Sequence, residues 1–413
     1  MKVAVSTLAS IVALTFSIFS AAASDQWTRF RGPNGEGLSD ATAIPATWTD
    51  KDYRWKAALP GEGNSSPVVS GQRLFITCGS EQTGTQIVLC LKTSDGSVVW
   101  KQEFPSTTYK QNKLNRYASS TPPLDETALY HTWATPEHYF LVKLEQATGK
   151  ELWRRDFGPF PSQHGFGASS IVFEDLVIVP NEQDEKSSII AVDRQTGKTR
   201  WEAPRKTEKA AFSTPCIYRP EGGDPQLILT SWAQGFSALD PRTGKPLWEE
   251  PLFKNRVSGS PLVAGGLIIG AAGAGGGGKQ MYAVRPGNPK TGAKPEVAYE
   301  LKKSLPYVVT PVAKGNLLFA WADSGVVTCL DLPTGKTIWQ ERLGAEFFGS
   351  PVLVGDRLYA ISKKGEVFVL AAAEKYQLLA RVDLGEPSNS TPAVAGGVMY
   401  LRTMSHVMAL GGK

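Results

Sequence analysis

The stretch AVDRQTGKTRW, residues 191–201, decides the fold of this chain. It reads as a short apolar strand, a polar turn at Thr196 and Gly197, and a second strand that ends at Trp201. Closely related stretches end at Trp100, Trp153, Trp248 and Trp339, each with Gly four residues before Trp. A unit that recurs every ~40 to 53 residues indicates a repeat architecture, in which each unit buries its faces against its neighbours.

The start of each unit is marked by Ser or Thr, then Pro, then an apolar run, as in SSPVV (65–69) and NSTPAV (389–394). Eight such openings occur, and in the third, GASSIVF, we assign Ile171 to the place of Pro. A tight turn and two further strands lead to the Trp strand. Four antiparallel strands per unit and eight units predict an all-β, eight-bladed β-propeller.

The two ends of the chain are predicted to close this propeller. The last unit stops after three strands, whereas residues 53–59 form a Trp-containing strand, around Trp55, that lacks the preceding three. We expect that strand to complete the last blade and so remove an open edge. Residues 53–413 are then one propeller, and residues 24–52 an extended lead that wraps its surface. Two units are degenerate, with Tyr299 and Ala380 at the Trp position.

The first 23 residues have the three parts of a secretory signal: Lys2, an apolar stretch and small residues up to Ala23. No Cys follows that could carry a lipid, and we see no transmembrane anchor, so we expect a periplasmic or secreted protein. The formal net charge of +5 comes from dispersed Lys and Arg without a run of like charges. Such scatter is typical of a solvated surface and argues against a nucleic-acid partner.

The repeated residues are interpreted as structural. Glycine suits a turn position with positive φ, Asp can accept backbone N–H groups across the turn, and Trp is large enough to fill the wedge between blades. A residue found in most blades serves what all blades share. This docking set comprises Trp55, Trp100, Trp153, Trp201, Trp248, Trp339, Gly96, Gly149, Gly197, Gly244, Gly335, Asp193, Asp240 and Asp331.

The complete pattern A-x-D-x-x-T-G-x-x-x-W, at residues 191–201 and 238–248, resembles the tryptophan-docking repeat of the PQQ-like propellers. The resemblance covers nearly the whole mature chain. That family contains quinoprotein dehydrogenases and non-catalytic BamB-like envelope proteins, and the lead FRGPNGEGLSD is similar to exported PQQ-repeat proteins of planctomycete-like bacteria. A dehydrogenase of the family implies adjacent cysteines, an Asp base and Glu, Asn and Asp ligands for Ca²⁺. This chain has no Cys-Cys pair.

Other candidate chemistry is dispersed. The four cysteines lie in predicted strands; Cys78 and Cys90 could pair, but small buried residues are the preferred interpretation of all four. Residues 181–185, NEQDE, could offer oxygens to a hard cation and are better interpreted as a solvated loop. The glycine run 270–280 lacks the ending of a phosphate loop and is interpreted as a flexible loop of blade five. Four scattered histidines define no catalytic triad, so we assign no catalytic residue and no metal site.

Ligand binding is expected on the top face, the end of the channel at which the innermost strands begin. There the residues differ from blade to blade and include many aromatics, which suits a peptide, a sugar or a planar cofactor; plugging of the channel is the alternative. The candidates are Arg116, Tyr117, Trp133, His164, Phe166, Phe212, Trp232, Arg256, Tyr307, Trp321, Phe347 and Asn389, with Phe348 beside them.

The function expected from these features is that of an exported, non-catalytic scaffold that binds a protein or other ligand in the cell envelope. Envelope proteins or peptide segments are the expected partners, and no cofactor is expected. A PQQ-dependent dehydrogenase with Ca²⁺ is the first alternative, and a carbohydrate-binding propeller is the second. Fold resemblance alone does not choose between them.

Overall fold

Eight small antiparallel sheets surround a central channel, as the repeat pattern predicts. The computed structural model describes residues 25–207, 209–275 and 277–412, so the predicted signal segment, residues 1–23, lies outside the described residues. Among the residues described, helix is limited to two short 3₁₀ turns, Pro33–Gly35 and Asp50–Asp52. In the described chain, neither turn approaches the length or hydrophobicity needed to cross a bilayer.

Each blade is given from the channel outwards. Blade one comprises Val68–Ser70, Arg73–Gly79, Gln86–Lys92 and Val98–Phe104, and blade two comprises Ala128–Ala134, Tyr139–Glu145 and Glu151–Asp156. Blade three comprises Ile171–Phe173, Leu176–Asn181, Ser188–Asp193 and Thr199–Pro204. Blade four comprises Cys216–Tyr218, Gln226–Ser231, Gly235–Leu239 and Pro246–Glu250. Blade two has only an isolated bridge, Leu124 to Leu129, where the others have an inner strand.

The second half of the ring follows the same order. Blade five comprises Leu262–Ala264, Leu267–Ala274, Gly277–Arg285 and Glu296–Leu301, and blade six comprises Val312–Lys314, Leu317–Trp321, Val326–Asp331 and Thr337–Arg342. Blade seven comprises Val352–Val354, Arg357–Ile361, Glu366–Ala371 and Leu378–Asp383. Blade eight comprises Ala393–Ala395, Val398–Arg402, His406–Gly411 and Tyr53–Ala58. Two further strands, Gln26–Trp27 and Leu38–Ser39, belong to the N-terminal segment.

Ring closure occurs as predicted. Tyr53–Ala58 pairs antiparallel with His406–Gly411 and forms the outermost strand of blade eight. The first and last parts of the chain therefore share one sheet, so the ring closes through main-chain hydrogen bonds.

The repeated Trp of one blade contacts the turn glycine of the next blade. Gly197 has φ of +69°, and a Cβ built on it would lie 2.9 Å from the ring of Trp153 in the preceding blade. Only glycine permits this approach, because it combines positive φ with the absence of a side chain. The same contact joins Trp55 to Gly96, Trp100 to Gly149, Trp201 to Gly244 and Tyr299 to Gly335.

Hydrogen bonds hold the motif on both sides of the contact. The indole Nε1 of Trp100 donates to the carbonyl of Gln146 in blade two at 2.9 Å, and that of Trp55 donates to Thr93 in blade one at 2.9 Å. Asp193 Oδ1 accepts the backbone N–H groups of Gln195 and Thr196, as expected for an Asp that closes a turn. A register shift between Ala191 and Val192 marks a β-bulge beside this turn.

The degenerate units solve the same packing problem differently. Trp248 packs on Gly287 and donates to Gln226 Oε1 at 2.7 Å. Between blades seven and eight, Ala380 packs against the cluster that contains Ile44 and Trp48 from the N-terminal segment. The bulk that a docking Trp supplies elsewhere is here provided from outside the repeat.

The N-terminal lead does not wrap the surface, contrary to expectation. Residues 26–39, here called the plug, enter the channel from the bottom, since Gln26–Trp27 pairs antiparallel with the inner strand of blade one. The plug turns at the level where the inner strands begin and returns as Leu38–Ser39, parallel to the inner strand of blade seven. Residues that line the channel form hydrogen bonds with the backbone groups of the plug. The sequence pattern alone does not reveal this placement.

Arg31 anchors the plug through all five of its N–H donors. It is fully buried and donates to the carbonyls of Gly35 and Glu36 in the plug and of Thr310, Pro311 and Pro351 in blades six and seven. Burial lowers the pKa of Arg31 to about 9, so the guanidinium stays charged near neutral pH. The guanidinium group presents its five N–H donors in a fixed, planar arrangement. Here these donors meet five carbonyl oxygens that are not paired within a sheet.

Smaller corrections concern the local predictions. Ser169 accepts the backbone N–H of Thr121 as hydroxyl residues do at the other openings, so Ser170 rather than Ile171 stands in the Pro position of blade three. In residues 181–185, Asn181, Glu182 and Gln183 are buried rather than solvated. The glycine run of blade five is largely strand, in Leu267–Ala274 and Gly277–Arg285.

The cysteine interpretation is confirmed. All four cysteines, Cys78, Cys90, Cys216 and Cys329, are free and buried. Cys78 lies opposite Ile87 and Cys90 opposite Phe75 in the sheet, so Cys78 and Cys90 do not face each other.

We predict that Trp100→Ala lowers the free energy of unfolding by about 3–5 kcal/mol, because it removes both the ring that covers Gly149 and the bond to Gln146. Urea denaturation followed by fluorescence and circular dichroism measures the change. The matched control is Val98→Ala on the same strand, whose side chain is exposed and whose effect should stay within about 0.5 kcal/mol. Equal effects of the two substitutions would contradict the docking role.

Replacing the anchor of the plug should release it. Arg31→Met leaves five carbonyls without donors, and we expect a loss of about 2–4 kcal/mol together with protease cleavage within residues 26–39. Arg31→Lys keeps the charge but has three donors and should fall between wild type and Arg31→Met. Wild-type resistance of the Met variant to proteolysis would show that the plug is held mainly by other contacts.

His131 should make stability depend on pH. It is fully buried between blades one and two, neither ring nitrogen has a partner in the described chain, and burial lowers its pKa to about 3 from 6.5. Between these values the unfolded chain binds a proton that the folded chain does not, so stability falls as pH drops below 6.5. In His131→Leu this pH-dependent loss of stability should be absent. The free energy of unfolding of the variant should therefore rise relative to that of wild type by about 1.4 kcal/mol per pH unit below 6.5. Parallel pH–stability curves would refute the assignment.

Candidate functional site

A cavity of about 580 Å³ opens at the top face, above the plug. Its wall comes from the segments that precede the inner strands and from the loops after the second strands, as predicted for this face. Phe30 of the plug contributes to the lining from below. The cavity is therefore a closed-ended mouth rather than a pore through the ring.

The floor is a ring of hydroxyl side chains from the repeated Ser/Thr-Pro openings. At six blade junctions, the backbone N–H of one opening residue donates to the hydroxyl oxygen of the next opening at 2.9–3.0 Å. These bonds explain why six of the eight blades open with Ser or Thr. The opening residues whose hydroxyl-bearing side chains line the cavity, here called the hydroxyl ring, are Thr121, Ser169, Thr214, Ser260, Thr310, Ser350 and Thr391.

Six of the residues noted for the top face line the cavity. Phe212, Tyr307 and Phe348 are half-buried aromatics, whereas Phe347 is almost fully buried at its edge. The polar members are His164 and Asn389. The structure thus brings together residues from five of the eight blade junctions that the sequence placed on the same face.

The remaining candidates do not line the cavity. Trp133 lies buried between blades one and two and Trp321 between blades six and seven, so the prediction that they face the mouth is wrong. Both lie at the end of a blade's second strand. Side chains alternate between the two faces of that strand, and this alternation directs each indole ring into the interface between neighbouring blades. Phe166 is likewise buried, between blades two and three.

Four others lie around the cavity and bind neighbouring groups. Arg116 Nε is 2.7 Å from Glu62 Oε2, and Arg256 Nη2 is 3.1 Å from Asp184 Oδ1. The Tyr117 hydroxyl donates to the carbonyl of Tyr109 at 3.0 Å. Trp232 is covered by Lys209, whose Nζ lies 4.5 Å from the ring centroid. They stabilise top-face loops rather than the lining itself.

Ion pairs neutralise the charged part of the wall. Lys279 Nζ contacts Asp323 Oδ2 at 2.6 Å, and Lys363 Nζ contacts Glu346 Oε2 at 2.7 Å. Asp323 also accepts the backbone N–H groups of residues 307–309, which fixes the loop that carries Tyr307. Each wall carboxylate is thus matched by a lysine.

Amide side chains form the opposite wall. Asn389 donates to Asn64 Oδ1 at 3.3 Å across the junction of blades eight and one. Asn115 donates to the carbonyls of His164 and Phe166 and ties the loop of blade one to blade two. Burial lowers the pKa of His164 and Arg256 lowers it further, against an opposing effect of Asp184.

Sequence reasoning missed several lining residues. Some, such as Asn64 and Glu346, lie close to a unit opening, so the same face argument could have found them. Others lie in long loops whose path the repeat does not fix. The missed lining residues include Phe30, Asn64, Asn112, Leu114, Asn115, Lys279, Asp323, Glu346 and Lys363, with the hydroxyl ring.

The cavity differs from the site that a PQQ-dependent dehydrogenase of the family implies. Its two lysines are paired with Asp323 and Glu346. Cys78, Cys90, Cys216 and Cys329 are buried in strands and do not line the cavity. Among the described residues, no group of three His, Cys, Asp or Glu side chains is arranged to hold a metal ion.

Comparisons with known proteins agree with this architecture. The family model described as outer membrane protein assembly factor BamB matches residues 46–214, 186–294 and 300–410. An outer membrane protein assembly factor BamB from Alteromonas naphthalenivorans is 24% identical over 56% of this chain and 57% of its own length. A polyvinylalcohol dehydrogenase from a Pseudomonas species is 24% identical over 58% of this chain and 43% of its own length.

The matched region thus spans about half the length of these two relatives. Among solved structures, BamB from Moraxella catarrhalis superimposes with a TM-score of 0.63 at 16% identity, covering 86% of this chain and 95% of that chain. At this identity the superposition shows the fold alone. Together with the family match over most of its length, the eight docked blades show that the chain belongs to the PQQ-like, BamB-type family of β-propellers.

Proposed function

We propose that the protein is a non-catalytic binding propeller of the cell envelope that holds an extended segment of a partner protein in the top-face cavity. The proposal follows the non-catalytic branch of the family, in which relatives are named outer membrane protein assembly factors. Periplasmic or secreted localisation and the absence of a cofactor are part of the same proposal.

The observation that carries it is the chemistry of the rim. Amide groups of Asn64, Asn112 and Asn389 line the same cavity as the half-buried rings of Phe212 and Phe348. Amides can both donate to and accept from a peptide backbone, and aromatic rings bury apolar side chains at little entropic cost. The charged groups of the wall form ion pairs with each other. This arrangement is typical of a binding site rather than of a site that transfers protons.

The relative named polyvinylalcohol dehydrogenase keeps oxidation as a second candidate. This candidate is supported by family membership, whereas none of the four cysteines lines the cavity. A sugar ligand would also use amides and aromatic faces, and the third candidate, a carbohydrate-binding propeller, differs from ours in the ligand alone.

Site-specific photo-crosslinking tests the proposal. A photoreactive phenylalanine analogue at Phe348 should crosslink an envelope protein in intact cells, whereas the same analogue at exposed Val98, on the outer strand of blade one, should not. Phe212→Ala should weaken the Phe348 crosslink about tenfold, since aromatic anchors dominate binding energy.

Three outcomes would redirect the assignment. Crosslinks confined to Val98 would place the interface on the outer edge of the blades. Dye reduction by an alcohol or a sugar after addition of PQQ and Ca²⁺ would favour the dehydrogenase. Retention on a glycan array without any protein crosslink would favour the carbohydrate-binding propeller.

A further inference from the structure

The hydroxyl ring has donors that the protein does not use. Thr121, Ser169, Ser260, Thr310 and Ser350 each accept a backbone N–H from the preceding opening, as does Thr391. A hydroxyl that accepts one hydrogen bond still has an O–H to donate. None of these O–H groups, nor that of Thr214, donates a hydrogen bond in the described part of the chain.

These donors are buried and border the cavity. Relative exposure of the ring residues runs from 1% at Thr121 to 7% at Ser260, yet all seven line the floor. Buried donors in native proteins nearly always have partners. Their acceptor must therefore come from the cavity.

Positive charge lies directly beneath the hydroxyl ring. Arg29 donates to the carbonyl of Pro215, which follows Thr214, and Arg31 donates to the carbonyls of Pro311 and Pro351. Neither guanidinium forms an ion pair among the described residues, and the Nε of Arg29 is enclosed without a partner. Glu36 is the single carboxylate between residues 26 and 39, so the plug keeps a net positive charge.

Both arginines are charged under physiological conditions. Burial lowers the pKa of Arg29 to about 10 and that of Arg31 to about 9, which leaves each protonated at neutral pH. A buried charge acts over a longer range than one in water, because little solvent screens it. The ion pairs of the wall add no net charge above the floor.

We propose that the floor of the top-face cavity is an anion site, at which the hydroxyl ring donates to a carboxylate of the bound segment while Arg29 and Arg31 stabilise its charge from below. This inference rests on the proposed function and adds the group that the cavity recognises. O–H donors around a carboxylate form short, charge-assisted hydrogen bonds. The carboxylate can be the end of a polypeptide or an Asp or Glu side chain.

The simplest probe is acetate, titrated calorimetrically into the full mature protein at low ionic strength. Thr214→Val is the informative variant, because its hydroxyl lines the cavity but accepts no backbone N–H across a blade junction. We expect it to weaken acetate binding about tenfold, the effect of losing one hydrogen bond to a charged group. Thr132→Val is the matched control, since Thr132 is buried and bonded to Ser120 away from the cavity; it should leave acetate binding unchanged.

Short randomised peptides separate this inference from the proposed function and do not depend on a variant. Three pools are compared by retention on wild-type protein: free carboxyl terminus, amidated terminus, and amidated terminus with one internal Glu. Retention of the first pool alone, lost on adding acetate, assigns the site to a chain terminus; retention of the third as well assigns it to any carboxylate.

The remaining outcomes are contrary ones. Equal retention of all pools with no effect of acetate would overturn the anion site and leave peptide binding intact. Acetate binding that is sensitive to Thr214→Val, with no pool retained, would support the anion site and overturn the peptide as its ligand. No binding of acetate or peptides would overturn both.

Discussion

The close approach of an aromatic ring to a turn glycine is the contact on which the whole ring depends. It occurs where Trp100 meets Gly149 and where Trp55 of blade eight meets Gly96 of blade one, so it also seals the closure. A blade has two apolar faces and is not stable alone, so each contact stabilises two blades at once. Where the motif is lost, at Ala380, residues from outside the repeat restore the packing.

The plug is the second element that the ring requires. The inner edges of the eight blades leave unpaired carbonyls and N–H groups facing the axis, and residues 26–39 satisfy part of them by strand pairing and through Arg31. Buried positive charge is costly unless acceptors surround it, and five carbonyls do so here. The same charge then shapes the electrostatics of the cavity above, so structural and functional roles meet in a single segment.

The cavity combines a shared floor with individual walls. The hydroxyl ring repeats from blade to blade because it links the openings, whereas Phe212, Lys279 and Asn389 differ from blade to blade. Membership in a family that contains both assembly factors and dehydrogenases does not choose a chemistry. The rim, with its amides and half-buried aromatic rings, is what favours binding.

The sequence by itself determined the all-β class, the eight blades, the docking role of the Trp motif and closure by residues 53–58, because each rests on a local pattern repeated many times. It also identified the top face, and with it His164, Phe212, Tyr307 and Asn389. Only the tertiary structure decided that residues 26–39 fill the channel and that Trp133 and Trp321 point into blade interfaces. Those outcomes depend on contacts between residues hundreds of positions apart, such as Arg31 with Pro351, for which no periodic signal exists.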